Sequence, residues 1–175
     1  MKLKAIISRD LIHEDRNVKI SEILKAYMQH STFRLRVWLR IAQYTKSSGW
    51  VLYPLVYKIF CHYKKSVVID IPVSTPIGEG LGLVHGGSVF LNAKKIGKYC
   101  TFYQGVTIGT AGKGRYERPV IEDNVIVYTG AVIVGEVTVH TGAVIAANCV
   151  VTHDVPPNAL YAGVPGKVVK FIEKD

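Results

Sequence analysis

Cysteine is scarce in this chain, and its scarcity excludes two classes of small protein. The three cysteines, Cys61, Cys100 and Cys149, are spread through 175 residues with no close spacing. An odd number of widely spaced cysteines is unlike a disulfide-stapled secreted scaffold, and no Cys-X-X-Cys pair is present to hold a metal. The fold must therefore be stabilised by its core.

Long apolar runs are also missing. The longest covers residues 50–61 and contains Pro54 and Lys58, whereas a membrane-spanning helix needs about 20 apolar residues. Residues 1–10 lack the apolar stretch of a secretory signal peptide. With 49% hydrophobic and 20% charged residues, the composition is that of a folded domain and not of a disordered chain. We expect a soluble, cytoplasmic protein with one main domain.

Acidic residues are few in the first third of the chain. Residues 1–65 contain 13 Lys and Arg but 4 Asp and Glu, whereas residues 66–175 contain 9 of each. The formal net charge of +9 therefore belongs to the first segment. Such an excess raises nucleic acid or an anionic membrane as partners. No nucleic-acid motif is present, so we expect no nucleic-acid partner, and peripheral contact with the inner membrane face stays open.

The basic first segment has the pattern of short helices. Ser21 and Glu22 resemble a helix start, residues 33–44 carry apolar side chains at helical spacing, and residues 50–63 tolerate Pro54 in a first turn. We predict an α-helical N-terminal segment over residues 1–65. It would cap the open end of the domain that follows, because such an end exposes strand edges and core.

From residue 66 onward the sequence repeats with a period of six. Every sixth residue from Ile121 is β-branched and aliphatic, and the residue four positions later is small or apolar. The first set is Ile121, Val127, Ile133, Val139, Ile145 and Val151, and the second is Val125, Ala131, Val137, Ala143, Cys149 and Val155. This period predicts short parallel strands wound into a triangular coil of about 18 residues per turn.

One segment interrupts the repeat. Residues 110–119 follow no hexad and are rich in glycine and basic side chains. A loop ejected from a strict solenoid is a functional candidate, because the core gains nothing from it. The alternative is a neutral insertion.

The hexads of residues 71–156, with the closing motif Ala162-Gly163-Val164-Pro165, resemble the left-handed β-helix (hexapeptide-repeat) acyltransferases. The chain looks similar to the serine acetyltransferase branch, and closest to the colanic acid and capsular polysaccharide O-acetyltransferases. The resemblance covers about residues 33–170. It implies a mostly β fold, a left-handed parallel β-helix over residues 66–175, preceded by the short helical segment. It also implies acetyl-CoA as donor, no metal, and a homotrimer with active sites between subunits.

The same resemblance assigns a catalytic pair. In the family an aspartate precedes the catalytic histidine by fifteen residues, and here Asp70 precedes His85 by the same distance. His85 would take the proton from an acceptor hydroxyl, while Asp70 holds the imidazole tautomer. Transfer would be direct, with no acyl-enzyme. The alternative is that His85 is an ordinary turn histidine.

The resemblance further implies the donor and acceptor sites. Small residues would let the pantetheine arm approach the backbone, and lysines would meet the nucleotide phosphates. The matching cofactor positions are Gly109, Thr110, Lys113, Thr129, Ala147 and Lys167. The acceptor side would be lined by Asn92, Tyr103, Gln104 and Arg118.

Two departures from the family concern the acceptor. Val84 occupies the place of an aspartate that helps to bind serine, and Glu117-Arg118-Pro119 replaces Arg-His-Pro. Glutamate would repel a serine carboxylate that arginine would bind. We therefore expect a sugar hydroxyl in exopolysaccharide or capsule synthesis as acceptor. The alternative is serine O-acetylation in cysteine biosynthesis.

Two other classes fit less well. Some proteins of this fold hold zinc through clustered histidines, but the spacings between His85, His140 and His153 are 55 and 13 residues. A non-catalytic interaction protein would use the basic helices, whose interleaved aromatic residues fit a packed core better.

Overall fold

The computed structural model describes residues 3–14, 18–112 and 116–173. Within these ranges, helices α1 (Leu3–Ile12), α2 (Ile20–Gln29), α3 (Ser31–Ser47) and α4 (Tyr53–Ser66) precede every strand. The predicted helical segment is present. Helix α1 lies inside the predicted segment, although no separate helix start was identified for it in the sequence.

The strands that follow are short and form three sheets. The sheets have the orders β1-β3-β6-β9-β12, β10-β7-β4 and β14-β13-β11-β8-β5-β2. All pairs are parallel except β13–β14. The strands are β1 (Ile69–Asp70), β2 (Gly82–Val84), β3 (Val89–Leu91), β4 (Lys95–Ile96), β5 (Thr101–Tyr103), β6 (Thr107–Gly109), β7 (Val120–Ile121), β8 (Ile126–Val127), β9 (Val132–Val134), β10 (Thr138–Val139), β11 (Val144–Ile145), β12 (Val150–Val151), β13 (Ala159–Gly163) and β14 (Gly166–Phe171).

The hexad residues form the core of this coil. Ile126 pairs with Val144, and Val132 with Val150, so neighbouring coils are offset by 18 residues. The six β-branched hexad positions from Ile121 to Val151 are fully buried. Each such burial contributes about 1.5–3 kcal/mol. The core continues without a break into Leu39 of α3 and Phe60 of α4.

A buried ionic network joins the helices to the first coil. The carboxylate of Asp10 accepts hydrogen bonds from Arg40 Nε at 2.7 Å and Nη2 at 3.0 Å, and from the Leu81 amide at 2.9 Å. Arg40 also donates to the Ile77 carbonyl at 2.8 Å, and Arg36 donates to the Leu81 carbonyl at 2.7 Å. The helices thereby satisfy polar backbone groups at the open end of the coil.

Candidate active site

The corner that carries His85 is larger than the corner stacked on it. Val84 pairs with Tyr103 and Phe90 pairs with Thr107. Five residues lie between Val84 and Phe90, but three lie between Tyr103 and Thr107. The His85 corner therefore contains two extra residues, and its histidine is exposed.

The backbone of this corner is strained. His85 has φ 59° and Ser88 has φ 51°, values in the left-handed region that cost energy for residues other than glycine. Strain of this kind persists only where the surrounding structure imposes it, and it is concentrated at functional sites. The corner presents His85 to solvent at that cost.

The strand register brings the next predicted residue beside His85. His85 directly follows Val84, and Gln104 directly follows Tyr103, the partner of Val84. Gln104 therefore occupies the same corner one coil later, and adjacent strands lie about 4.8 Å apart. The Oε1 atom of Gln104 is buried, and none of the described residues donates a hydrogen bond to it. An unpaired buried acceptor is unfavourable, so this atom is available to a ligand donor.

The column continues through two predicted cofactor positions. The Gly130 amide donates to the Gln104 carbonyl at 3.1 Å, and the Asn148 amide donates to the Thr129 carbonyl at 2.8 Å. These bonds place Thr129 above Gln104, and Ala147 above Thr129. Four residues predicted from the sequence therefore stack along one corner of the triangular coil, namely His85, Gln104, Thr129 and Ala147.

Asp70 has a different partner from the one that was predicted. It lies on β1 opposite Phe90, and its carboxylate accepts a hydrogen bond from Lys64 Nζ at 2.7 Å. Burial lowers the pKa of Lys64, but the hydrogen bond and charge of Asp70 raise it more. Among the described residues no hydrogen bond joins Asp70 to His85. The catalytic role of Asp70 stays a prediction.

A second group of predicted residues lies at the opposite corner of the coil, where the strands of the five-stranded sheet end. Arg118 Nη1 donates to Asn92 Oδ1 at 3.4 Å. Gly109 pairs with Val134 near this edge, and a Cβ on Gly109 would meet open space. Thr110 follows Gly109 into the loop. Within one chain the predicted site residues therefore lie at two separate corners of the coil.

The two predicted lysines are placed differently. Lys113 lies outside the residues that the structure describes, as does Arg115. Lys167 lies on β14 opposite Ala162, where its side chain is exposed.

A cavity of about 310 Å³ adjoins the His85 corner and was missed from the sequence. Its lining includes Lys64, Lys65, Asp70 and Phe90. Backbone bonds from Gly87 and Val89 to the carbonyl oxygens of residues 67 and 68, at 3.0 and 3.2 Å, tie the corner to the residues beside it. Two lysines against one aspartate leave an excess positive charge that suits a carboxylate-bearing ligand. The consecutive lysines before the first coil were the available signal.

The cavity beside the ejected loop has the opposite character. It has a volume of about 300 Å³ and is lined by Glu117, Glu136 and Asp154 together with Lys94 and Arg118. Its three carboxylates make it a poor site for the carboxylate of an acceptor.

The other two histidines that were considered as zinc ligands, His140 and His153, contact protein side chains. His140 Nδ1 lies 3.2 Å from Glu122 Oε1, and His153 Nδ1 lies 3.1 Å from the Thr152 hydroxyl. Within residues 3–14, 18–112 and 116–173, no group of three or more His, Cys, Asp or Glu side chains could hold a metal ion. No helix in these ranges has the length and hydropathy needed to cross a bilayer.

Comparison with known proteins finds similarity to serine acetyltransferases. No family model matches the sequence. The chain is 33% identical over 119 residues to a serine acetyltransferase of Synechococcus elongatus, covering 66% of this chain and 49% of that protein. It is 41% identical over 104 residues to the serine acetyltransferase of Staphylococcus xylosus, covering 58% and 48%.

The solved structures agree. A serine acetyltransferase from Vibrio cholerae superposes with a TM-score of 0.77 at 25% identity, covering 99% of this chain and 66% of that one. A serine acetyltransferase in complex with CoA gives 0.74 at 26% identity, covering 95% and 68%. The chain is similar in sequence and in structure to serine acetyltransferases. It spans about half the length of the curated relatives it matches.

These relatives confirm the fold and correct the expected acceptor. The left-handed parallel β-helix with an N-terminal helical segment is confirmed. The similar proteins are serine acetyltransferases, one of them solved in complex with CoA. The prediction of a sugar acceptor is wrong, because the similarity found is to serine acetyltransferases. The comparisons give no support for kinship to the colanic acid and capsular enzymes. Val84 and Glu117 lack the family's contacts to serine, but they do not exclude a serine acceptor. Two lysines lie in another place, in the cavity next to the His85 corner.

Proposed function

We propose that this protein is an acetyl-CoA-dependent serine O-acetyltransferase. The observation that carries the proposal is an exposed histidine on a strained, enlarged corner in a chain related to serine acetyltransferases. An exposed imidazole at such a corner is free to meet a hydroxyl, and imidazole is the side chain that most often acts as a general base.

The proposed reaction is a direct transfer. A nitrogen of the His85 imidazole takes the hydroxyl proton as the serine oxygen attacks the thioester carbonyl carbon. The carbon–sulfur bond then breaks, and the leaving thiolate takes the proton from the imidazolium. Gln104 Oε1, one coil above His85, accepts a hydrogen bond from a bound substrate.

Lys65 is the proposed ligand of the serine carboxylate. Lys64 is already paired with Asp70 at 2.7 Å, which leaves Lys65 as the surplus cation of that cavity. It would replace the arginine that the family has at the position of Glu117. A charge-assisted hydrogen bond of this kind is worth about 1.5–3 kcal/mol.

We further propose that the active protein is a cytoplasmic homotrimer. The His85 edge and the Asn92–Gly109 edge lie on opposite sides of one sheet, so a single chain offers two incomplete half-sites. Packing the His85 edge of one subunit against the loop edge of its neighbour would complete the site, with CoA in the groove between them. Sedimentation equilibrium would then give a mass three times the 19.3 kDa of the chain.

The test is CoA release from acetyl-CoA with L-serine, serinamide or ethanolamine as acceptor. We expect turnover with L-serine, and a loss of about 100-fold or more in kcat for His85→Ala. His153→Ala, another exposed histidine, is the matched control and should retain full activity. Acetyl-CoA binding without turnover of L-serine would contradict the proposed acceptor.

A further inference from the structure

The turn between α3 and α4 forms an exposed apolar surface. Every residue from 46 to 52 is exposed. The exposed fractions are 55% for Trp50, 93% for Val51, 55% for Leu52 and 58% for Leu55. We call residues 50–55 the apolar tip. Contiguous exposed apolar side chains of this size mark a binding surface.

The apolar tip is held in an ordered conformation. The Trp50 amide donates to the Thr45 carbonyl at 3.1 Å, and the Tyr53 amide donates to the Trp50 carbonyl at 3.0 Å. The Tyr44 and Trp50 rings meet edge to face with centroids 6.4 Å apart. The backbone therefore presents Val51 and Leu52 outward, so little conformational entropy is lost when a partner covers them.

The surroundings of the tip carry charge of one sign. No Asp or Glu lies between Glu22 and Asp70. Arg36 and Arg40 in this interval are buried, and Lys64 pairs with Asp70, whereas Lys25, Lys46 and Lys58 are exposed. Lys46 immediately precedes the tip. Lys58 and His62 are exposed on α4 at helical spacing from Leu55, so they share its outward face.

We propose that the apolar tip and the outward face of α4 dock on an anionic phospholipid bilayer. The tip would enter the headgroup region, and the lysines would attract the anionic lipids. Trp50 suits this position because its ring is apolar while its N–H is polar. The proposal does not depend on the acceptor of the acetyl group.

A second copy of this chain is the competing occupant. In a two-fold contact the same surface meets itself, and this surface would then bring the exposed lysines of the two copies together. Like charges across an interface are unfavourable. An anionic bilayer complements both the apolar tip and the surrounding charge, which favours it as the partner.

The experiment is flotation of the full-length protein with vesicles of phosphatidylglycerol and phosphatidylcholine, or of phosphatidylcholine alone. We expect binding to the anionic vesicles, a blue shift of Trp50 emission that the Trp50→Phe variant lacks, and release at 0.5 M salt. The double variant Val51→Ser/Leu52→Ser should bind at least 10-fold more weakly. Lys58→Ala should lose about fivefold.

The matched control is Val169→Ser, because Val169 is also an exposed aliphatic residue, at 62%, on β14 far along the chain. It should bind vesicles like the unmodified protein. Acetyl-CoA binding and the thermal midpoint should be the same in all variants, since every altered side chain is exposed.

Three results would overturn the proposal. They are no binding to anionic vesicles, equal binding to phosphatidylcholine alone, and equal loss of binding in Val169→Ser. A fall in the oligomer mass of Val51→Ser/Leu52→Ser, without any vesicle binding by the unmodified protein, would assign the apolar tip to a second copy.

Discussion

His85 and Gln104 occupy the same corner of the prism in consecutive coils, and the unpaired Oε1 of Gln104 lies one strand spacing from the proposed catalytic corner. The two residues differ in backbone conformation, because only the His85 corner contains two extra residues. The enlarged corner exposes the histidine while the regular corner above it keeps the glutamine half-buried. The pair therefore places an exposed imidazole next to a half-buried amide oxygen that can accept a hydrogen bond.

Replacing Gln104 with leucine should weaken substrate binding without unfolding the protein. Leucine has a similar size and removes an acceptor that has no protein partner, so stability should stay the same or increase slightly. Loss of a ligand hydrogen bond should lower kcat/KM by about 3- to 10-fold. Steady-state kinetics with L-serine varied, together with thermal denaturation, measure both effects. An unchanged kcat/KM would remove Gln104 from the site.

Replacing Lys65 with alanine should raise KM for L-serine. A lost charge-assisted hydrogen bond of about 1.5–3 kcal/mol corresponds to a rise of about 10- to 100-fold. KM for acetyl-CoA should not change, and turnover of serinamide, which lacks the carboxylate, should be insensitive. Lys58→Ala is the control, since Lys58 lies two turns earlier on the same helix. Equal effects on L-serine and serinamide would refute the assignment.

Replacing Asp10 with alanine should strongly destabilise the protein. Arg40 would lose two hydrogen bonds and the Leu81 amide would lose one. Breaking one side of a buried ion pair costs about 3–5 kcal/mol, because the remaining charge is left uncompensated. Urea unfolding measures the loss. Glu136→Ala, which removes an exposed carboxylate, should change the free energy of unfolding by less than about 0.5 kcal/mol.

Cys100 should be unreactive in the folded protein. Burial raises the pKa of its thiol from 9.0 to about 12, and the thiolate is the reactive form. A thiol-specific chromogenic reagent at pH 8 should leave Cys100 unmodified until denaturant is added. Rapid modification of Cys100 in native protein would contradict this.

The same shift predicts a pH dependence of stability. Between pH 9 and 12 the unfolded chain loses the Cys100 proton while the folded chain keeps it, so the free energy of unfolding decreases as pH rises. Below pH 9 both states are protonated and the contribution is constant. Cys100→Ala should show a shallower decrease over this range in pH-dependent urea titrations.

The hexads made the core predictable, and the contacts outside the repeat were not. Ile121 and its successors lie inside because their spacing matches the coil. Asp10 belongs to a helix with no such period, and its pairing with Arg40 depends on a tertiary contact. The partner of Asp70 was predicted from a fifteen-residue separation, but Lys64 is nearer in sequence and its side chain reaches the carboxylate.

The place of each candidate site residue along its coil could be predicted, but the assembly of these residues into one site could not. Gln104, Thr129 and Ala147 fall in line with His85 because regular coils stack at a constant offset. Asn92 and Gly109 fall on the other edge because β3 and β6 run between the two corners. A repeat pattern gives the place of each residue along its coil, but it does not give the neighbouring subunit.

Each end of the coil carries an element that breaks the parallel repeat, and this limits how molecules can stack. At one end Arg36 and Arg40 occupy the carbonyl groups of the first coil, and at the other β14 pairs antiparallel with β13. An open parallel coil would template the next molecule through its free edge and grow into a fibre. The helices at one end and the reversed strand β14 of the six-stranded sheet at the other disfavour end-to-end stacking and leave sideways association open.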